Sequence, residues 1–242
     1  MRLRLAPTIE RPVAAVPRWV KAVLLVAVLS QVAWQASTPR PIAQAAALGA
    51  PLDAGWLRVA SLGEPIALSQ ALVLYLQAFD NQPGLSIPYK DLDYAAVRAW
   101  LAAALTLDPR NPYPLIMAAY LYPQVPDAAK QREMLEFVHR EFLRDPNRRW
   151  RWLAHAAIIA KHRLKDLPLA LRYAEDITHH AGAALSWARQ MRIFILEDMG
   201  ETESAAVLLG GLLHGGEVTD PAEIRFLTER LEAAKNVDKS SK

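Results

Sequence analysis

The sequence predicts an all-α protein, with one apolar helix near the N-terminus followed by a body of antiparallel helix pairs. Three observations carry that expectation. From Pro65 onward apolar residues recur at helical spacing, and no segment shows the sustained alternation of a strand. Alanine is abundant and glycine is held to 10 residues in 242, a balance that favours helix. The most hydrophobic stretch, residues 19–37, has basic residues before it and only Arg40 close behind it.

Residues 1–18 read as a cytoplasmic basic arm. The first 21 residues hold Arg2, Arg4, Arg11, Arg18 and Lys21 against Glu10, a net of +4; the whole chain is +3, so the remainder sums to −1. The pI near 9.2 is therefore a property of the arm. A nearly neutral body has no electrostatic pull toward nucleic acid, and no nucleic-acid partner is expected.

The stretch WVKAVLLVAVLSQVAWQAS, residues 19–37, matches the ~20 residues that a bilayer-spanning helix needs. Trp19 and Trp34 lie near its ends, where indole rings favour the membrane interface. The charge asymmetry puts the N-terminus in the cytoplasm and the rest across the membrane. The expectation is an uncleaved signal anchor in a bacterial inner membrane, with a periplasmic body. The alternative is a signal peptide cleaved after Ala45, since Ala43-Gln44-Ala45 has small residues at the right spacing. That would leave a soluble periplasmic body. The long basic arm and Arg40 argue against cleavage, and a buried soluble helix would leave the one-sided charge unexplained.

Residues 38–64 contain Pro39, Pro41, Gly49, Pro51, Gly55 and Gly63, and read as a linker with a short helix over residues 43–48. The body follows over residues 65–236, and residues 237–242 read as a disordered tail. Its helices are expected at 66–79, at 91–107 with Asp91 as N-cap, and then at 112–122, 127–143, 148–164, 167–180, 185–199, 202–213 and 221–234. The last carries Glu223, Arg225, Thr228, Glu229, Arg230 and Glu232, as a solvated end-cap would.

The joints between these helices recur. Asp108-Pro109 ends one helix and Asp145-Pro146 ends another 37 residues on; His180-Ala181-Gly182 ends a third, 36 beyond Pro146. Leu115 and Trp152 each lie six residues after their proline, and Trp187 lies five after Gly182. Small residues follow at matching offsets, namely Ala118, Ala119, Ala154 and Ala156. Later helices carry Ala170, Tyr173, Ala174, Ala205 and Ala206. A hairpin with one apolar face cannot bury it alone, so such units come in series.

On these residues the chain, over roughly 90–215, resembles the tetratricopeptide repeat family. Leu115, Trp152 and Trp187 match its large early residue. Ala118, Ala119 and Ala156 match its small positions, Ala170 its second-helix alanine, and Pro109 and Pro146 its closing proline. Residues 199–206, MGETESAA, look like its internal turn. The pattern is degenerate: Gly182 stands where a proline is expected, and the first unit has no recognisable opening helix. The resemblance implies an α-solenoid whose concave face binds a protein or peptide partner. Repeat phase then nominates Tyr113, Met117, Tyr120, Arg149, His155, Arg189 and Arg192 as partner-binding residues.

Other candidates are weaker. His155 and His162, with His179 and His180, invite a metal reading, but an i, i+7 pair lies ~10 Å apart along a helix axis. No cysteine exists to help, which also excludes disulfides, a cysteine nucleophile and a lipid-modified cysteine anchor. RRWRW, residues 148–152, interleaves cations and aromatics as headgroup or acidic-partner patches do. The competing reading gives Trp152 a core position and turns Arg148, Arg149 and Arg151 outward, where Asp145 can pair with them. Glu197, Asp198, Glu201 and Glu203 form an acidic cluster at a turn, read as solvated. No nucleophile-elbow serine or phosphate loop is present. The expected function is a non-enzymatic scaffold without cofactor, metal or small-molecule substrate, supporting an envelope complex and held in the membrane by residues 19–37. A structural subunit bound mainly through that helix is the alternative. An envelope hydrolase or metal protein would have to use His155, His162 or the 197–203 carboxylates.

Overall fold

The computed structural model describes residues 16–38, 45–215 and 218–240. The arm up to residue 15, Arg40, Ala43, Gln44, Gly216 and residues 241–242 lie outside the described residues. The chain divides into two units, Met1–Gln44 and Ala45–Lys242.

The first unit contains α1 (Arg18–Ser37), which buries none of its residues. At 20 residues it is ~30 Å long, the thickness of a bilayer's hydrocarbon core. It is long and apolar enough to cross a membrane, with a mean hydropathy of 1.5. At its end, Ser37 Oγ and Thr38 Oγ1 both donate to the Trp34 carbonyl, at 2.9 and 2.6 Å.

Among its described residues, the regular structure of the second unit is helical apart from one small hairpin. Its elements are α2 (Ala54–Ala60), α3 (Pro65–Ala78), β1 (Asn81–Gln82), β2 (Leu85–Ser86) and α4 (Tyr94–Leu107). They continue with α5 (Tyr113–Ile116), α6 (Ala128–Arg144), α7 (Pro146–His162), α8 (Leu167–His180), α9 (Ser186–Asp198), α10 (Thr202–His214) and α11 (Pro221–Ser240). The antiparallel pair β1–β2 is two residues deep on each strand, too short to leave an alternating signature.

Several boundaries differ from the sequence reading. Residues 45–50 are not helical, whereas α2 forms inside the segment read as linker. Asp53 caps α2 by accepting from Gly55 N and Trp56 N, and Leu57 packs beside Ala103 and Leu107 of α4. Asp93, not Asp91, caps α4, because its carboxylate reaches Ala95 N and Ala96 N. Asp91 instead ends a 3₁₀ turn over Tyr89–Asp91. Residues 112–122 do not make one helix. α5 gives way to a π turn over Met117–Leu121 and a 3₁₀ turn over Tyr122–Gln124. Pro123 has no N–H for the Ala119 carbonyl, and its ring crowds that carbonyl, so the α ladder cannot run through. α11 extends to Ser240, beyond the start of the expected tail.

In most of the body, consecutive helices pack on one another: α3 on α4, then α6 through α11 in sequence. The closest pairing, α7 with α8, follows from side-chain size. Ala154, Ala156, Ala157 and Ala160 on α7, and Ala170 and Ala174 on α8, are fully buried. Alanines let the two backbones approach closely.

A second layer of contacts joins several helices to the one after their neighbour: α4 to α6, α6 to α8, α7 to α9 and α9 to α11. Arg98 of α4 pairs with Glu133 of α6, at 3.5 Å, and Arg132 of α6 pairs with Asp166, the cap of α8, at 2.6 Å. His139 of α6 meets Asp176 of α8 at 2.7 Å, and Lys161 of α7 pairs with Asp198 of α9. Arg230 of α11 clasps Glu197 of α9 at 2.6 Å. These partners are 33 to 37 residues apart. Tyr94 Oη to the Tyr122 carbonyl, 28 residues, and Trp100 Nε1 to the Gly49 carbonyl, 51 residues, depart from that spacing.

Two expected core residues are placed differently. Trp150 is buried and Trp152 only partly so, because the inward stripe of α7 runs through 149, 150, 153, 154, 157 and 160. Trp187 is 48% exposed. It sits in the first turn of α9 with its ring edge-on to Trp150 at 5.6 Å, while Ala188, Gln190 and Ile195 take the inward side.

Candidate functional site

The best-defined cluster of candidate residues forms where the π turn meets α7. Trp152 and His155 are three apart and so share a face of that helix. Tyr120 lies over both, stacked on the His155 ring with centroids 3.6 Å apart and edge-on to Trp152 at 6.0 Å. Tyr120 is 43% exposed, and the other two are half-buried. The result is an aromatic shelf open to solvent on one side.

Hydrogen bonds fix the turn that carries the shelf. The Tyr120 carbonyl accepts from Gln124 Nε2 at 2.9 Å. Gln124 Oε1 in turn accepts from Arg163, just past the end of α7. Gln131 Nε2 of α6 donates to the Pro123 and Val125 carbonyls at 3.1 and 2.7 Å. Tyr94 Oη anchors the Tyr122 carbonyl at 2.9 Å. A shelf held from three helices needs little ordering when a partner arrives.

His155 Nε2 is buried with no hydrogen-bond partner. Burial lowers the imidazole pKa, so the ring is neutral near pH 7. Its unused hydrogen-bonding atom lies beneath the aromatic surface rather than open on it.

The remaining nominated residues do not join this shelf as one surface. Tyr113 is exposed, and its backbone N–H donates to Asn111 Oδ1 at 3.0 Å. Met117 is in the core. Arg149 is also interior rather than outward, with an exposure of 4%. Its Nη1 donates to Glu141 Oε2 at 2.7 Å, so the ion pair draws it in. Arg148 does face outward and pairs with Asp145 at 2.9 Å. Arg189 and Arg192 stand three apart on α9, both half-buried, and Arg192 Nε has no hydrogen-bond partner. Trp152, which the repeat pattern places in the core, is instead part of this shelf. Its i, i+3 relation to His155 was the available signal.

Glu197 and Asp198 are engaged by Arg230 and Lys161, so this acidic turn is an ion-pair node. Among the described residues no group of three His, Cys, Asp or Glu side chains is placed to hold a metal ion. A separate cavity of ≈ 470 Å³ has mainly apolar walls, including Leu48, Phe79, Leu85, Ile87 and Leu92.

No family model, curated protein or solved structure matches the chain.

Proposed function

We propose that this chain is a non-enzymatic adaptor, anchored in a bacterial inner membrane by α1, with a tetratricopeptide-like solenoid body in the periplasm. The body binds a protein or peptide segment and supports an envelope complex. The observation that carries this reading is the layer of polar contacts between alternate helices, spaced 33 to 37 residues apart. Stacked hairpins put alternate helices side by side in just this way, because each unit touches only its neighbours. A stack of that kind acts through the surface it presents. The fixed shelf of Tyr120, Trp152 and His155 offers stacked aromatic area on that surface, with Tyr120 exposed at its edge.

The second reading, a structural subunit held mainly through α1, is favoured by the length and apolar composition of that helix. One experiment separates the two. Residues 19–37 are replaced by an unrelated transmembrane segment, and cross-linked partners are co-purified from native membranes. Retention of the partner supports the adaptor. Its loss moves the main contact to α1.

A further inference from the structure

A second apolar surface lies on the first helices of the body. Leu52, Trp56, Val59, Leu62 and Ile66 are exposed by 59%, 63%, 65%, 91% and 61%. Trp56 and Val59 are three apart on α2, whereas Leu57 between them is buried. The element is thus apolar on both its inner and outer sides. Over residues 51–79 the only charged side chains are Asp53, Arg58 and Glu64, and α3 has none.

Leu62 is the informative residue. Its φ is +50°, a left-handed conformation that costs an L-residue ~1–2 kcal/mol. With an exposure of 91%, its side chain has almost no interior packing to repay that strain. Glycine would fit this turn better, as the adjoining Gly63 at φ +91° does. A contact outside the body would explain an apolar tip held exposed in that conformation.

We propose that α2 and the turn after it form an interfacial membrane contact, with Trp56, Val59, Leu62 and Ile66 dipping into the acyl edge of the bilayer. The composition fits that occupant. α2 and α3 together are as apolar as a membrane-crossing segment, but the chain bends by 108° between them, so they cannot cross as one straight rod. Sparse charge beside an indole and aliphatic tips suits the headgroup–acyl boundary rather than a polar-rimmed protein interface. The inference rests on α1 being the membrane span of the proposed function. Ala54 then follows Ser37 by seventeen positions, which keeps the patch at high effective concentration near lipid. With Arg58 the lone cation of the patch, binding does not depend on anionic lipid or salt.

The chain's lack of cysteine makes the test direct. Single variants Val26→Cys, Leu62→Cys and Val207→Cys of the full chain each carry an environment-sensitive fluorophore in phosphatidylcholine vesicles. All three sites are exposed, so labelling leaves the core intact. Spin-labelled lipid with its nitroxide high on the acyl chain should quench the probes at 26 and 62 about twofold or more, as insertion by ~5–10 Å requires, and leave 207 unchanged. Quenching at 26 with the probe at 62 open to aqueous iodide overturns the contact while keeping the anchor. Protection at 62 from both quenchers assigns the patch to a protein, including a second copy, and also overturns it. No lipid quenching at 26 removes the anchor reading, and this inference falls with it.

Discussion

Arg149 and Glu141 form an ion pair at 2.7 Å inside the body, with side-chain exposures of only 5% and 4%. The arginine also donates to the Glu141 carbonyl at 2.7 Å and the Pro109 carbonyl at 2.9 Å. One guanidinium thus ties α6, α7 and the Asp108-Pro109 joint together. Arg144 holds the other carboxylate oxygen. Glu141→Ala leaves a desolvated cation without its counter-charge and should cost ~3–5 kcal/mol. Replacing both partners, as Glu141→Leu with Arg149→Met, should recover much of that loss. Urea unfolding of the detergent-solubilised chain measures both. A single-variant loss below ~1 kcal/mol would mean that water reaches the site.

The aromatic shelf makes a different demand. Tyr120 is 43% exposed, so truncation removes little core packing. Tyr120→Ala should change stability by less than ~1 kcal/mol but weaken partner recovery by roughly thirtyfold, the ~2 kcal/mol of a central aromatic contact. Unchanged recovery at full stability would remove the shelf from the binding surface.

His155 sets the expected pH response of the same place. Burial lowers its folded pKa below the ordinary value, so between the two values the unfolded chain binds the extra proton. Its contribution is fully present above the unfolded pKa of about 6.5 and is lost as pH falls toward the folded value. The melting temperature of the natural chain should therefore fall more steeply below pH 6.5 than that of His155→Phe. Parallel curves would show that the imidazole reaches water in the folded state.

Much of this architecture was legible because helix starts are written in local chemistry. Asp127 accepts from Ala129 N and Lys130 N at 2.9 and 3.1 Å, and Pro146, two residues before the expected start, is the first residue of α7. Alanines expected inside are inside at 118, 119, 154, 156, 170, 174 and 205, whereas Ala206 is only half-buried. What the sequence obscured was phase. Trp150 and Trp152 are two apart, about 200° around a helix, and either could have faced inward. The cost of burying a charge predicts an outward Arg149, but Glu141, eight residues earlier, supplies the partner that brings it inside. The shelf needed the π turn that swings Tyr120 over His155, and Pro123, three residues ahead, breaks a ladder without saying which turn replaces it.

The glycines of α10 provide a stability test that touches neither shelf nor membrane patch. Gly210 and Gly211 lie inside this helix, and a Cβ added to either meets nothing within 4 Å. Gly211 is exposed and has no positive φ, so alanine fits it without strain. Mid-helix glycine costs ~0.5–1 kcal/mol relative to alanine, chiefly through the freedom of the unfolded chain. Gly211→Ala should raise stability by about that amount. Gly200→Ala should act in the opposite sense. The space there is also open, but φ is +82°, and an L side chain pays ~1 kcal/mol or more in that region. Urea midpoints moving in opposite directions would bear out both backbone assignments. A destabilised Gly211→Ala would mean that something packs against the exposed side of α10.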